Sequence, residues 1–191
     1  MNTISIISSS VRIERKSHNV ALYLQKYLTE KKLAKATILD LKEFNFPIFD
    51  ERFSKTEKPT KEVVSFRDEI IKSDGVIIVT PEYNGSFPAS LKNVVDLFYD
   101  EWHHKPVGLA TVSSGVYAGS QCLQALQFVF WKIRAWTIPA SLQISEVQKN
   151  YDDNGNAINK EVADKFTAPF IKELLRCVET NQKNRFKSQI V

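Results

Sequence analysis

The sequence predicts an α/β protein: one open parallel sheet with helices on both faces. Three observations lead there. Short apolar runs of strand length alternate with longer stretches of helical period, the pattern of successive βαβ units. The run Gly75 to Val79 is apolar throughout and reads as a buried strand. That run stops at Pro81, turns at Asn84-Gly85, and gives way to a helix after Pro88. A strand thus ends in a tight loop of free backbone groups with a helix directly behind it, which is where open α/β sheets bind ligands.

The first strand is expected over Thr3–Ser8, followed by a serine-rich loop. A helix over Ser17–Lys32 keeps Val20, Leu24, Tyr27 and Leu28 on one face. Ala36–Leu41 is the second strand, and residues 42–59 form a connection rich in phenylalanine and proline. A helix over Thr60–Ser73 leads to the third strand, Gly75–Thr80. Pro88 suits the first turn of the next helix, Pro88–Phe98, whose apolar face is Leu91, Val94, Val95 and Phe98. The fourth strand is Val107–Ser113 and the fifth Thr137–Ile144. Between them, a helix over Ser120–Arg134 is apolar nearly all round, so it must be buried on more than one side, by the core or by a second subunit. Asp152–Asn156 reads as a polar turn before a last helix, Asn159–Thr180, in which Pro169 predicts a kink or break.

Length and composition fit one domain spanning residues 1–191, with 43% hydrophobic and 25% charged residues. No apolar run approaches the roughly 20 residues that cross a membrane. The N-terminus has neither a basic segment nor a cleavage site, so no signal peptide is expected. Cys122 and Cys177 lie far apart in helical patterns and read as buried, reduced thiols, which fits a cytoplasmic location. The net charge of +4 comes mostly from the last sixteen residues, where Arg176, Lys183, Arg185 and Lys187 face only Glu179. A solvated basic end is expected there rather than a nucleic-acid surface.

Chemistry concentrates in three loops. Ser8-Ser9-Ser10-Val11-Arg12 follows the first strand, and Ser17-His18-Asn19 opens the helix behind it. A phosphate here would meet free N–H groups, the positive end of the helix dipole, hydroxyls and a guanidinium. Pro81-Glu82-Tyr83-Asn84-Gly85 follows the third strand, and Ser113-Ser114-Gly115 through Gly119 the fourth, where glycine lets backbone approach a flat ligand. His18, His103 and His104 have no metal-ligand spacing, and the two adjacent histidines read as a surface turn. No G-x-G-x-x-G, Walker A loop or nucleophile elbow occurs.

The stretch from Pro81 to Asp96 resembles the NADPH-dependent FMN reductase family, whose pattern is P-E-Y-N-x-x-x-P-x-x-L-K-N-x-x-D. Pro81, Glu82, Tyr83, Asn84, Pro88, Leu91, Lys92, Asn93 and Asp96 all match. The first loop resembles the family's G-S-x-R and S-x-N pattern through Ser10, Arg12, Ser17 and Asn19, with Ser9 in place of a glycine. The third resembles S-x-G-x-x-G-G, with Ala118 in place of a glycine. The resemblance implies a flavodoxin-like three-layer sandwich with strand order 2-1-3-4-5. It also implies an FMN-dependent oxidoreductase that takes hydride from NADPH or NADH and passes it to a small-molecule acceptor. Free flavin, a quinone, an azo compound and a metal oxyanion are the acceptor classes expected. Ser10, Arg12, Ser17 and Asn19 would hold the phosphate, with His18 a further cofactor-binding residue. Pro81, Glu82, Tyr83, Asn84 and Gly85 would line the isoalloxazine, and Ser113, Ser114 and Gly115 its other edge. No catalytic side chain and no metal are expected. Arg12, Arg15 and Lys16 are candidates for a nicotinamide 2′-phosphate, although a solvated basic loop is the expected role of the last two. A homodimer or homotetramer is implied, without nucleic-acid or membrane partners. A flavodoxin-like electron carrier and a flavin-free module of the same fold remain alternatives. The carrier's usual T-x-T-G-x-T loop is missing from this chain.

Overall fold

The computed structural model describes residues 1–188, with side chains through Asn184. In chain order the elements are β1 (Thr3–Ser8), α1 (Ser17–Glu30), β2 (Lys35–Asp40), α2 (Leu41–Phe44), α3 (Lys61–Lys72) and β3 (Gly75–Pro81). There follow α4 (Ala89–Leu97), β4 (Pro106–Val112), α5 (Ser120–Lys132), β5 (Trp136–Ile144), α6 (Val147–Asn150) and α7 (Lys160–Ser188). The strands form one sheet of order β2-β1-β3-β4-β5, and every pair is parallel. The expected order is therefore the observed one.

Strand alternation divides the core in two. Ile4, Ile6, Ile77 and Val79 face a layer carrying Val20, Leu24 and Leu28 of α1 and Leu174 and Val178 of α7. Ile7, Val76, Ile78 and Leu109 face the opposite layer, with Phe66 of α3, Val94 of α4 and Phe130 of α5. Both faces of β1 and β3 are covered, which explains their unbroken apolar sequence. The C-terminal ends of β1, β3 and β4 meet along one rim of this sandwich, and all three candidate loops leave from it.

Pro169 does not break the last helix, which runs continuously from Lys160 to Ser188. Pro169 and Lys165, the residue whose carbonyl loses its partner, are both exposed. Water can therefore replace the missing bond. Two short helices escaped the periodicity. Asp40 ends β2 and caps α2 by accepting the Lys42 N–H at 3.0 Å. α6 follows Glu146, a non-glycine residue held at φ 43°. At the outer edge of the sheet, β5 tolerates Pro139 because Ile138 to Ala140 stand opposite Gly108 alone in an irregular register.

α5 departs from expectation within the chain. Cys122, Leu126 and Phe130 are buried, but Phe128 and Trp131 are 64% and 66% exposed. Core packing covers one side only. Cys122 is a buried free thiol and Cys177 a half-buried one. His104 follows the turn after Trp102 at φ 56° and is exposed, as a surface histidine should be. Of the basic cluster near the C-terminus, Arg176 and Lys183 are exposed, while the side chains of Arg185 and Lys187 lie outside the described residues. No described helix is long and apolar enough to cross a membrane.

Candidate functional site

A cavity of about 190 Å³ opens on the rim where β1, β3 and β4 end. The β1 loop enters it with Arg12 and Ser17, the β3 loop with Pro81, Glu82 and Tyr83, and the β4 loop with Ser113 and Ser114. Those seven expected residues are brought together. Ser10, His18, Asn19, Asn84, Gly85 and Gly115 are not among its lining residues, and Asn84 and Gly115 are exposed.

The β3 loop is shaped by its Asn-Gly pair. Asn84 and Gly85 have φ of 52° and 76°, and Tyr83 and Ser86 exchange two backbone hydrogen bonds across them at 2.8 and 3.0 Å. This is the geometry of a type I′ turn. The Glu82 N–H donates to the Val112 carbonyl at 3.1 Å, and its carboxylate accepts the Cys122 N–H at 3.1 Å in the first turn of α5. An acid at a helix N-terminus is favourable. Burial, then the nearby Glu82 charge, pushes the Cys122 thiol up to about 12, so it stays protonated. The second half of the long motif is scaffold. The Asn93 amide donates to the Pro47 carbonyl at 2.7 Å while its oxygen accepts the Phe49 N–H, pinning the aromatic connection to α4. Lys92 and Asp96 form an exposed pair one turn apart.

The β1 loop is tied down on several sides. The Ser90 hydroxyl donates to the Ser9 carbonyl at 2.6 Å. Ser10 shares a 2.7 Å hydrogen bond with the Tyr83 hydroxyl, joining this loop to the next. Arg15 is not solvated as the sequence suggested. Its guanidinium, 12% exposed, forks onto Asp40 because β2 ends beside β1. Lys16 is partly exposed and pairs with Asp153 at 2.7 Å; the Asn19 amide donates to the same carboxylate at 3.1 Å. The polar turn that carries Asp153 therefore sits on α1. His18 Nδ1 lies 3.0 Å from the Ser8 hydroxyl and 3.6 Å from Asp40. Burial, then the Arg15 charge, holds this imidazole below its ordinary 6.5. Arg12 alone of these cations, among the described residues, has no carboxylate partner; it leans over the Tyr83 ring at 5.8 Å.

The β4 loop is held mainly through backbone. Val147 and Glu146 donate their N–H groups to the carbonyls of Ser113 and Gly115 at 3.1 and 3.2 Å, and the Gln148 amide reaches the Ser114 carbonyl at 3.3 Å. Val147 and Gln148 also line the cavity. Sequence reasoning missed them because a helix of four residues carries no readable period.

A family model described as NADPH-dependent FMN reductase matches residues 2–149. The chain belongs to that family. It has the flavodoxin-like fold and is an oxidoreductase that uses FMN with NAD(P)H as co-substrate. An NAD(P)H-dependent FMN reductase of Saccharomyces cerevisiae is 33% identical over 140 residues, 66% of this chain and 72% of the yeast protein. A quinone reductase of Pseudomonas putida is 27% identical over 177 residues, 89% of each chain. Among solved structures, a flavoenzyme NAD(P)H:(acceptor) oxidoreductase of Paracoccus denitrificans superposes with a TM-score of 0.76 at 22% identity, covering 95% of this chain and 99% of that one. The donors on the β1 loop suit the FMN phosphate. The Ser9 and Ser17 hydroxyls of this reductase are buried without a partner, and α1 has no side-chain cap. Orphaned donors at an uncapped helix N-terminus are what an anion satisfies.

Proposed function

We propose that this reductase binds FMN across the rim and passes hydride from NADPH or NADH to a small-molecule acceptor. Quinones and free flavins are the favoured acceptors; azo compounds and metal oxyanions are further classes that an open flavin face would admit. When bound, FMN supplies the hydride chemistry. The phosphate goes to the β1 loop, with Ser10, Arg12, Ser17, His18 and Asn19 forming or supporting the site. The observation that carries this reading is the pair of buried, unpartnered hydroxyls, Ser9 and Ser17, beside a cation without a carboxylate, Arg12. The ring goes between the backbone of Pro81 to Gly85 and that of Ser113 to Gly115. Tyr83 joins the β1 and β3 loops through its bond to Ser10. No side chain here moves a proton in the reaction.

The chain acts as a single flavodoxin-like domain over residues 1–191, in the cytoplasm, without nucleic-acid or membrane partners. Its subunits pair as a homodimer or homotetramer through α5, where Phe128 and Trp131 stand exposed. Light scattering from a strict monomer would remove that part. The deciding experiment is a visible absorbance spectrum of purified protein, repeated after adding FMN and then NADPH. A two-banded flavin spectrum that bleaches with NADPH is expected. A spectrum that does not bleach would point to an electron carrier, and no flavin uptake at all would end the reading.

A further inference from the structure

Arg15 lines the cavity, yet its guanidinium is engaged by protein acceptors. Its two terminal nitrogens donate to the two oxygens of Asp40, and Nη1 also donates to the Ser10 carbonyl at 2.8 Å. Asp40 is 4% exposed and caps α2 with one of those oxygens. A buried ion pair is a poor source of net stability, because desolvation offsets the attraction. Its geometric effect is larger. Asp40 ends β2 and Arg15 lies near the end of the loop leaving β1, so the pair ties the loop's far end to the neighbouring strand. The third bond fixes the Ser10 carbonyl. In a trans peptide the carbonyl and the following N–H point in opposite directions. Holding Ser10 O against Arg15 therefore aims the Val11 N–H away from the guanidinium.

We propose that the Arg15–Asp40 pair is a positioning device that presets the Ser10–Val11 peptide for the phosphate of FMN, Arg15 itself contributing no bond to that phosphate. This deepens the FMN reading and rests on it. Two roles compete with it. If Arg15 were a direct phosphate ligand, releasing it from Asp40 would strengthen FMN binding. If the pair only supported the fold, its loss would weaken all flavins alike.

The test compares dissociation constants for FMN and riboflavin, measured by quenching of flavin fluorescence, in wild type, Asp40→Asn and the double variant Arg15→Met/Asp40→Leu. In both variants the expected result is an FMN dissociation constant raised about tenfold, the scale of one lost hydrogen bond to a charged acceptor, with riboflavin binding unchanged. If Asp40→Asn folds poorly, the double variant, which leaves no stranded charge, still separates positioning from fold support, and Asp40→Leu alone, which frees Arg15, separates positioning from direct ligation. Unchanged or tighter FMN binding, or an equal loss for both flavins, overturns the proposal. Wild type that fails to prefer FMN over riboflavin overturns the phosphate site itself. A wild-type preference that survives in the variants overturns only the role of the pair.

Discussion

The β1 loop and the β4 loop reach the same cavity from opposite sides, and each carries a larger residue where the family has glycine. At Ser9 the exchange is harmless to the backbone, because that residue does not adopt a positive φ. At Ala118 it is not, because the residue is held at φ 52°. The loops also differ in how they are restrained. The β1 loop is fixed by the Ser90, Tyr83 and Asp40 side chains, and α1 behind it by Asp153. In the β4 loop Ser114, Gly115, Val116 and Tyr117 are all exposed, and its ties run to the start of α6, to the end of β5 and, through the Thr111 hydroxyl on the Ala118 carbonyl, to its own strand. Val11 to Glu14 of the β1 loop are exposed as well, so the two loops differ in the source of their restraints rather than in exposure.

The sharpest way to break the β1 side is Gly155→Ala. A Cβ there would sit 2.4 Å from Leu22 Cβ and 2.8 Å from Tyr23 N, at φ +73°. Removing this close seat of the polar turn on α1 should cost at least about 3 kcal/mol, read by urea unfolding. A loss below about 1 kcal/mol would show that the turn is not a clamp. Arg12→Ala should weaken FMN binding about ten- to a hundredfold, with stability changed by less than about 0.5 kcal/mol. Unchanged FMN affinity would sink the phosphate assignment. Ala118→Gly should relieve the strained loop and raise stability by roughly 0.5–1 kcal/mol, a few degrees in Tm. A lower Tm would mean that the positive φ carries no strain.

The smallest effect concerns pH. His18 is held below 6.5 in the fold by burial and by Arg15, against the opposing charges of Asp40 and Glu43. The unfolded chain then binds the proton first as pH falls below 6.5, so stability is full above that value and declines through the lower, folded one. Thermal melts between pH 7.5 and 5 should show this decline, and His18→Gln should flatten it. An equal slope in the variant would assign the pH dependence elsewhere.

The strands and the β3 loop were legible because they depend on local signals: apolar runs of strand length, an Asn-Gly pair, and Pro88 at the start of the next helix; the strand order followed from the family resemblance. The seven expected residues that line the cavity sit on loops legible for the same reason. What escaped depends on the third dimension. Nothing local marks Val147 and Gln148 as lining, because the parallel register of β5 carries them to the rim. Arg15 looked like a solvated cation because Asp40, 25 positions away, enters only once β2 lies beside β1. Pro169 looked like a break because the sequence does not say which side of a helix faces water.

The outer strand has one more consequence. β5 displays Pro139 in an irregular stretch on the open edge of the sheet. Such an edge is a poor template for another chain's strand, so the β5 end of the sheet resists extension by a neighbouring molecule. Of the two edges, β5 is thus the one closed to strand-by-strand association, and β2 the one left to test.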